Sequence, residues 1–204
     1  MSNSELDKFL TAEEKQQLEA WTGKECQDVI FDSYKDNWAM NTSTFDDKVK
    51  FRKELIFVIE DANNNKFGAY MSEQMKQNFE EPKMCGPIGP DGKELPVPKL
   101  DICKVRDANS FLFSLKSNGR LNGMHKFEIK SEYCACSLRV KSDKWLIGFG
   151  NWDIWIAKEN VKSESGCHQF DYCYNYHGMT NVFVPNCTNK VYYTPKRFMV
   201  IQMK

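Results

Sequence analysis

Eight cysteines and three histidines are the residues of this chain best suited to nucleophilic, redox or metal chemistry. His125, His168 and His177 are its only imidazole bases. Ser110 and Ser114 flank the apolar run Phe111-Leu112-Phe113, but neither stands in the Gly-x-Ser-x-Gly elbow that presents a nucleophile at a strand-to-helix turn. No triad is therefore assigned. Zinc would need four ligands converging tetrahedrally. Cys134-Ala135-Cys136 and Cys167-His168, with Cys173 and His177 beyond, lack the two-residue gap of paired zinc cysteines. On a strand, Cys134 and Cys136 share a face, as two core side chains would, whereas Cys167 and His168 point to opposite faces. Phosphate-cradling glycine motifs are missing, and Gly148-Phe149-Gly150 reads as a tight bend between strands. The expectation is thus no catalytic residue, no cofactor and no metal site. Trp145, Trp152 and Trp155 could stack bases. With apolar neighbours and few cations, they read instead as core or interface.

Cys85 and Cys103 are different, because they lie in a long stretch, residues 76–106, that reads as irregular loop. Five of the seven prolines fall between Pro82 and Pro98, interspersed with Gly86, Gly89 and Gly92. Long loops of this kind often carry function. Cys85 and Cys103 are therefore the candidate reactive thiols, since a reactive cysteine must be accessible and easily ionised.

Lysine plus arginine and aspartate plus glutamate each total 28, so the formal charge is zero. No global field draws in nucleic acid or an anionic membrane. A nucleic-acid partner is not expected, although a local basic patch stays open. The first residues, Met1-Ser2-Asn3-Ser4-Glu5-Leu6, do not show a basic start followed by an apolar run, unlike a secretory signal. Reduced cysteines in a cytoplasmic, or alternatively nuclear, protein are the expectation. No apolar run approaches the roughly 20 residues of a membrane-crossing helix, so no membrane insertion is expected.

Residues 1–22 read as a helical segment broken near Thr11, where Thr11 and Glu14 form a capping-box pattern. A second capping signal at Thr44 predicts a helix from about Phe45 to Phe51. Residues 23–204 otherwise read as many short strands. Leu55 to Ile59 is apolar at every position and predicts a strand buried on both faces. Lys66 to Tyr70 returns as its hairpin partner, and Lys126 to Lys130 alternates as a half-exposed strand does. Further strands are expected at Val29 to Phe31, Ser110 to Leu115, near Leu138, at Asp153 to Ala157, Asn181 to Val184 and Phe198 to Met203. Many short strands with few helices predict a mainly β protein, a two-sheet antiparallel β-sandwich with flanking helices.

The ordered blocks resemble the TLDc domain family, which includes the oxidation-resistance proteins. Leu55-Ile56-Phe57-Val58-Ile59-Glu60-Asp61 with Lys66-Phe67-Gly68-Ala69-Tyr70 is similar to its apolar strand, acidic turn and Phe-Gly strand. Asp107 to Leu115, Ile147-Gly148-Phe149-Gly150 with Asp153-Ile154-Trp155-Ile156, and Ser163 to Cys167 with Phe170 follow in the family's order, closed by Phe198 to Met203. The resemblance spans about residues 25–204. It implies a β-sandwich flanked by helices and a TLDc domain standing almost alone. It also implies a role in oxidative-stress protection and, in some members, binding to the vacuolar proton pump (V-ATPase). The expected function is a non-enzymatic protein-binding module. A thiol-based redox or hydrolytic enzyme and a stress-responsive nucleic-acid-binding regulator remain the alternatives.

Overall fold

A computed structural model describes residues 4–74, 102–130, 134–139 and 144–204. Two short helices open it, α1 (Ser4–Phe9) and α2 (Ala12–Thr22). The break between them is the capping box: Thr11 Oγ1 accepts from the Glu14 N–H, and the Glu14 carboxylate accepts from the Thr11 N–H. Strand β1 (Cys26–Asp32), helix α3 (Phe45–Val49), and strands β2 (Leu55–Asp61) and β3 (Lys66–Met71) follow. Then come β4 (Ile102–Arg106), β5 (Phe111–Lys116), β6 (His125–Glu128), β7 (Cys134–Arg139), β8 (Trp145–Phe149) and β9 (Ile154–Ala157). A 3-10 segment, Glu159–Glu164, leads to β10 (Gly166–Cys167), β11 (Val191–Tyr192) and β12 (Pro195–Met203).

The strands form two antiparallel six-stranded sheets, ordered β1-β12-β2-β3-β5-β6 and β11-β10-β9-β8-β7-β4. Their facing sides share one core. Phe57 of the first sheet meets Phe149 of the second with ring centroids 5.1 Å apart. The fold is the mainly β sandwich with flanking helices that the strand pattern predicts. β12 lies between β1 and β2, so the last strand is central and not at an edge.

Strand β2 shows why the helices are needed. Leu55, Phe57 and Ile59 face the core between the sheets, while Ile56 and Val58 face the opposite way. There they meet Leu6, Phe9, Leu10 and Leu18 from α1 and α2. Without that cover, a whole sheet face of Ile, Val, Phe and Met would stand in water. Two charges, the buried Lys66 and the half-buried Arg197, fix the cover in place. Lys66 Nζ donates to Glu14 Oε2 at 2.7 Å and to the Phe9 carbonyl at 2.8 Å. Arg197 forks onto both carboxylate oxygens of Asp32 at 3.0 and 2.6 Å and reaches Glu5 at 3.1 Å.

Three segments differ from the sequence expectation. Ile102–Arg106, read as the end of a loop, is the edge strand β4 paired with β7. Asn181 to Val184, read as a strand, is a series of bends with Asn181 at φ 57°. Its apolar side chains are buried all the same, and the Arg120 guanidinium, not a neighbouring strand, takes the Asn181 and Phe183 carbonyls at 3.0 and 2.8 Å. Gly148 lies inside β8, which leaves Gly150 alone in the bend.

Replacing Lys66 with Ala strands the Glu14 carboxylate in a buried site. Urea unfolding should show a loss of about 3–5 kcal/mol. Lys66→Met combined with Glu14→Gln should recover most of it, because the charge is then removed from both sides and the capping box is kept.

Candidate functional site

Of the two candidate thiols, Cys85 lies outside the described residues. Cys103 is on edge strand β4, opposite Leu138, and its side chain is also outside them. The serines and histidines do not converge. Ser110 Oγ lies 3.4 Å from Tyr174 Oη. Ser114 Oγ is buried without a hydrogen bond, although Ser114 sits opposite His125 in the β5–β6 pairing. His125 Nε2 is hydrogen-bonded to the Asn122 carbonyl, and His177 Nε2 lies 3.2 Å from Glu128 Oε2 at the surface. Among the described residues, no group of three or more His, Cys, Asp or Glu side chains could hold a metal ion.

A cleft of about 630 Å3 runs beside Trp21, Glu54, Tyr70 and Ser110. Its polar groups serve one another. Tyr70 Oη donates to Glu54, Lys24 pairs with Glu54 at 3.5 Å, and Ser72 Oγ donates to Asp107 at 2.7 Å. The Tyr70 hydroxyl is held above its ordinary pKa by burial and by Glu54 beside it, so the tyrosine stays protonated and structural.

The second sheet offers a more distinctive surface. Ile154 and Ile156 of β9 face the core, so Trp155 between them faces outward. Its indole N–H donates to the Glu164 carbonyl at 2.8 Å. Trp145 and Trp152 stand edge-on to it, with centroids 6.4 and 6.1 Å away and 5.8 Å from each other. His168, Phe170 and Tyr172 continue the row at 6.3, 4.1 and 6.1 Å steps, and Tyr192 joins Trp155 at 6.1 Å. Phe170, Tyr172 and Tyr192 are three of the five most exposed large apolar side chains among the described residues. Trp145, Trp152, Trp155, His168 and Lys190 line a cavity of about 340 Å3, within the size range of small-ligand and side-chain pockets.

Local sequence explains how three indoles fit on one sheet face. A Cβ at Gly166 would lie 2.1 Å from Trp155 Cζ2, and one at Gly148 would lie 3.2 Å from Trp152 Cε3. Glycine at these two outward positions lets the rings lie flat against the backbone. Trp152 itself is held at φ 67°, a left-handed conformation that is costly for a bulky residue. Such strain, on the order of 1–3 kcal/mol, persists only where the surroundings enforce it.

Asp153 is what enforces it. One carboxylate oxygen accepts from Tyr176 Oη at 2.6 Å and the other from the Asn151 N–H at 3.1 Å, which ties the turn from both sides of Trp152. Burial raises the Asp153 carboxyl from its ordinary range to about 7, against the Tyr176 bond that lowers it. Charge at the cavity comes from lysines. Lys144 Nζ lies 4.7 Å from the Trp145 ring centre and pairs with Glu164 at 2.6 Å. Lys190 Nζ lies 5.6 Å from the Trp155 ring and 5.1 Å from that of Tyr192, and no carboxylate among the described residues pairs with it. His168 is nearly buried and its pKa is lowered, chiefly by desolvation, so it is neutral near pH 7.

Sequence reading singled out the three tryptophans but not the cavity they make. His168 and Lys190 reach it from positions 13 and 35 residues beyond Trp155, for which no local spacing gives a signal. Compared with known proteins, the chain matches no family model and no curated protein.

The raised Asp153 pKa sets a pH dependence. The unfolded carboxyl ionises near pH 4 and the folded one near 7, so the folded state holds the extra proton between these values. Stability therefore falls as pH rises from about 4 to 7, by on the order of a few kcal/mol, and is level above that with respect to this group. Asp153→Asn, which keeps the shape and an acceptor, should flatten denaturation midpoints across that window.

Proposed function

We propose that this chain is a non-enzymatic, TLDc-like protein-binding module. It would act in the cytoplasm or nucleus in the response to oxidative stress, with the vacuolar proton pump as a candidate partner. The motif resemblance, and its agreement with the two-sheet architecture, supports the family reading. The observation that carries the binding reading is the aromatic row on the outer side of the second sheet. Helices bury the outer side of the first sheet, while on the second Phe170, Tyr172 and Tyr192 stand at the surface around the half-buried Trp145 and Trp152 and the buried Trp155. Exposed, contiguous aromatic side chains are characteristic of interface centres. Held by backbone strain and by two glycines, this row is preorganised, and an interface gains affinity from that.

The cavity also states a preference. Its walls are indole rings and its free charge is the Lys190 ammonium. A partner segment that puts an apolar side chain between the tryptophans and a carboxylate beside Lys190 fits both. No helix among the described residues is long and apolar enough to cross a membrane.

Lys190 and Tyr192 are both exposed, so Lys190→Glu with Tyr192→Ala should leave the melting temperature within a few degrees of wild type. The two proteins should then be compared as bait in extracts of oxidised and unstressed cells and against purified proton pump. The expected outcome is a reproducible partner whose retention drops at least tenfold with the double variant. Equal retention by both, or no partner in either condition, would overturn the reading.

A further inference from the structure

The aromatic cavity joins two kinds of group that interfaces seldom place together. Three of its five lining side chains are indoles, and the one ammonium among the five is that of Lys190. Lysine is depleted at interface centres. Lys190 Nζ nevertheless lies 5.6 Å from the Trp155 ring centre and 5.1 Å from that of Tyr192. The other lysine at the tryptophans, Lys144, gives its charge to Glu164 at 2.6 Å. No carboxylate among the described residues does the same for Lys190. The indole N–H of Trp155 is taken by the Glu164 carbonyl at 2.8 Å, so this ring meets a ligand with carbon and not with a polar atom.

We propose that, on the binding reading above, the cavity receives the C-terminal residue of a partner chain, its apolar side chain against the tryptophans and its α-carboxylate on Lys190. A carboxylate oxygen pairs with an ammonium nitrogen at about 2.7–2.9 Å. An apolar group packs on a ring at about 3.5–4.0 Å. Because Lys190 Nζ is so close to the Trp155 ring, the anion and the apolar group of the ligand must lie beside each other. A last residue carries both on one Cα. In an extended internal segment, successive side chains point to opposite faces, and two on one face stand about 6.5–7 Å apart. An apolar residue with an internal Asp or Glu therefore matches the cavity less closely than a chain end does.

Size and charge agree with this occupant. About 340 Å3 is at the small end of ligand sites, the scale of one residue and not of a folded segment. An α-carboxyl group has an ordinary pKa of about 3.3–3.7, so it is ionised throughout the neutral range. Capture of a chain terminus is a recurring mode of peptide recognition.

The test presents the full chain with two pools of acetylated heptapeptides, randomised at every position. One pool ends in a free carboxylate and the other in an amide. Bound peptides are eluted and sequenced by mass spectrometry. The free-acid pool should be retained at least tenfold more than the amide pool, with Leu, Met, Phe, Tyr or Trp enriched at the last position. Its retention should fall with added salt, because the exposed Lys190 is screened. Lys190→Gln should lose the preference for the free acid, and Lys190→Arg should keep most of it. Equal retention of the two pools, retention of neither, or enrichment of an internal Asp or Glu in both overturns the inference. The wild-type comparison of acid with amide decides the matter even if a variant misfolds. The binding reading fails separately. It falls if no partner from extracts or purified pump depends on Lys190 and Tyr192, whereas a retained partner with equal pools sinks only the terminal carboxylate.

Discussion

The first sheet is apolar on both faces, and much of the remaining structure answers to that fact. In β2, alternate residues feed two separate cores, Leu55, Phe57 and Ile59 one and Ile56 and Val58 the other. A sandwich partner can cover only one face. The second must be covered by something else, and α1 and α2 are too short to be stable helices by themselves. They exist because the sheet needs them and they need the sheet. Glu14 makes that dependence specific, because one carboxylate both caps α2 and receives Lys66 from β3. Arg197, central in the same sheet, does the same for α1 through Glu5 while holding Asp32. The contribution of these buried pairs is less to net stability than to placement, since a buried charge tolerates only the geometry that pairs it.

The second sheet solves the opposite problem. One face fills the shared core, and the other carries large rings that no helix among the described residues covers. Tryptophan tolerates this better than leucine would, because an indole lies flat, packs edge-to-face on its neighbours and keeps a polar N–H for the backbone. The local sequence is bent to that end. Glycine occupies the two outward positions where a Cβ would lift the rings, and Trp152 sits in a backbone conformation that folding alone would not select. Asp153 stays buried beneath it although burial resists its ionisation. Several individually unfavourable choices that converge on one surface are the pattern by which a functional site departs from simple foldability.

Most of the fold was legible because its signals are local. Two-residue alternation marked β6, continuous apolar runs marked β2, and the Thr11–Glu14 spacing marked the helix break. Asn181 to Val184 misled for a physical reason. Its burial is that of a strand, but its carbonyls go to Arg120, and a distant arginine leaves no trace in local pattern. Ile102–Arg106 was hidden by the proline-rich stretch before it, although its pairing with β7 is regular over most of its length. The site was half legible. Three tryptophans within eleven residues drew attention, but composition could not tell a core cluster from a surface one, because that depends on which strand neighbours are glycine. Cysteine spacing drew attention to the loop thiols. The approach of His168 and Lys190 to one cavity depends on the chain reversing between β10 and β11, which no spacing rule anticipates.

The aromatic cavity lies beside the least-held edge of its sheet. β11 is an edge strand of two residues, held to β10 only by the pairs Gly166–Tyr192 and Cys167–Val191. Local opening costs least where few buried backbone bonds must break, so this edge should fluctuate more readily than β2 or β12, which are paired on both sides. His168 directly follows β10 and Lys190 directly precedes β11, and both line the cavity. The indole side of the cavity stands instead on β8, β9 and the turn that Asp153 ties. A weak edge thus lets the lysine side of the cavity adjust while the tryptophan side keeps its shape.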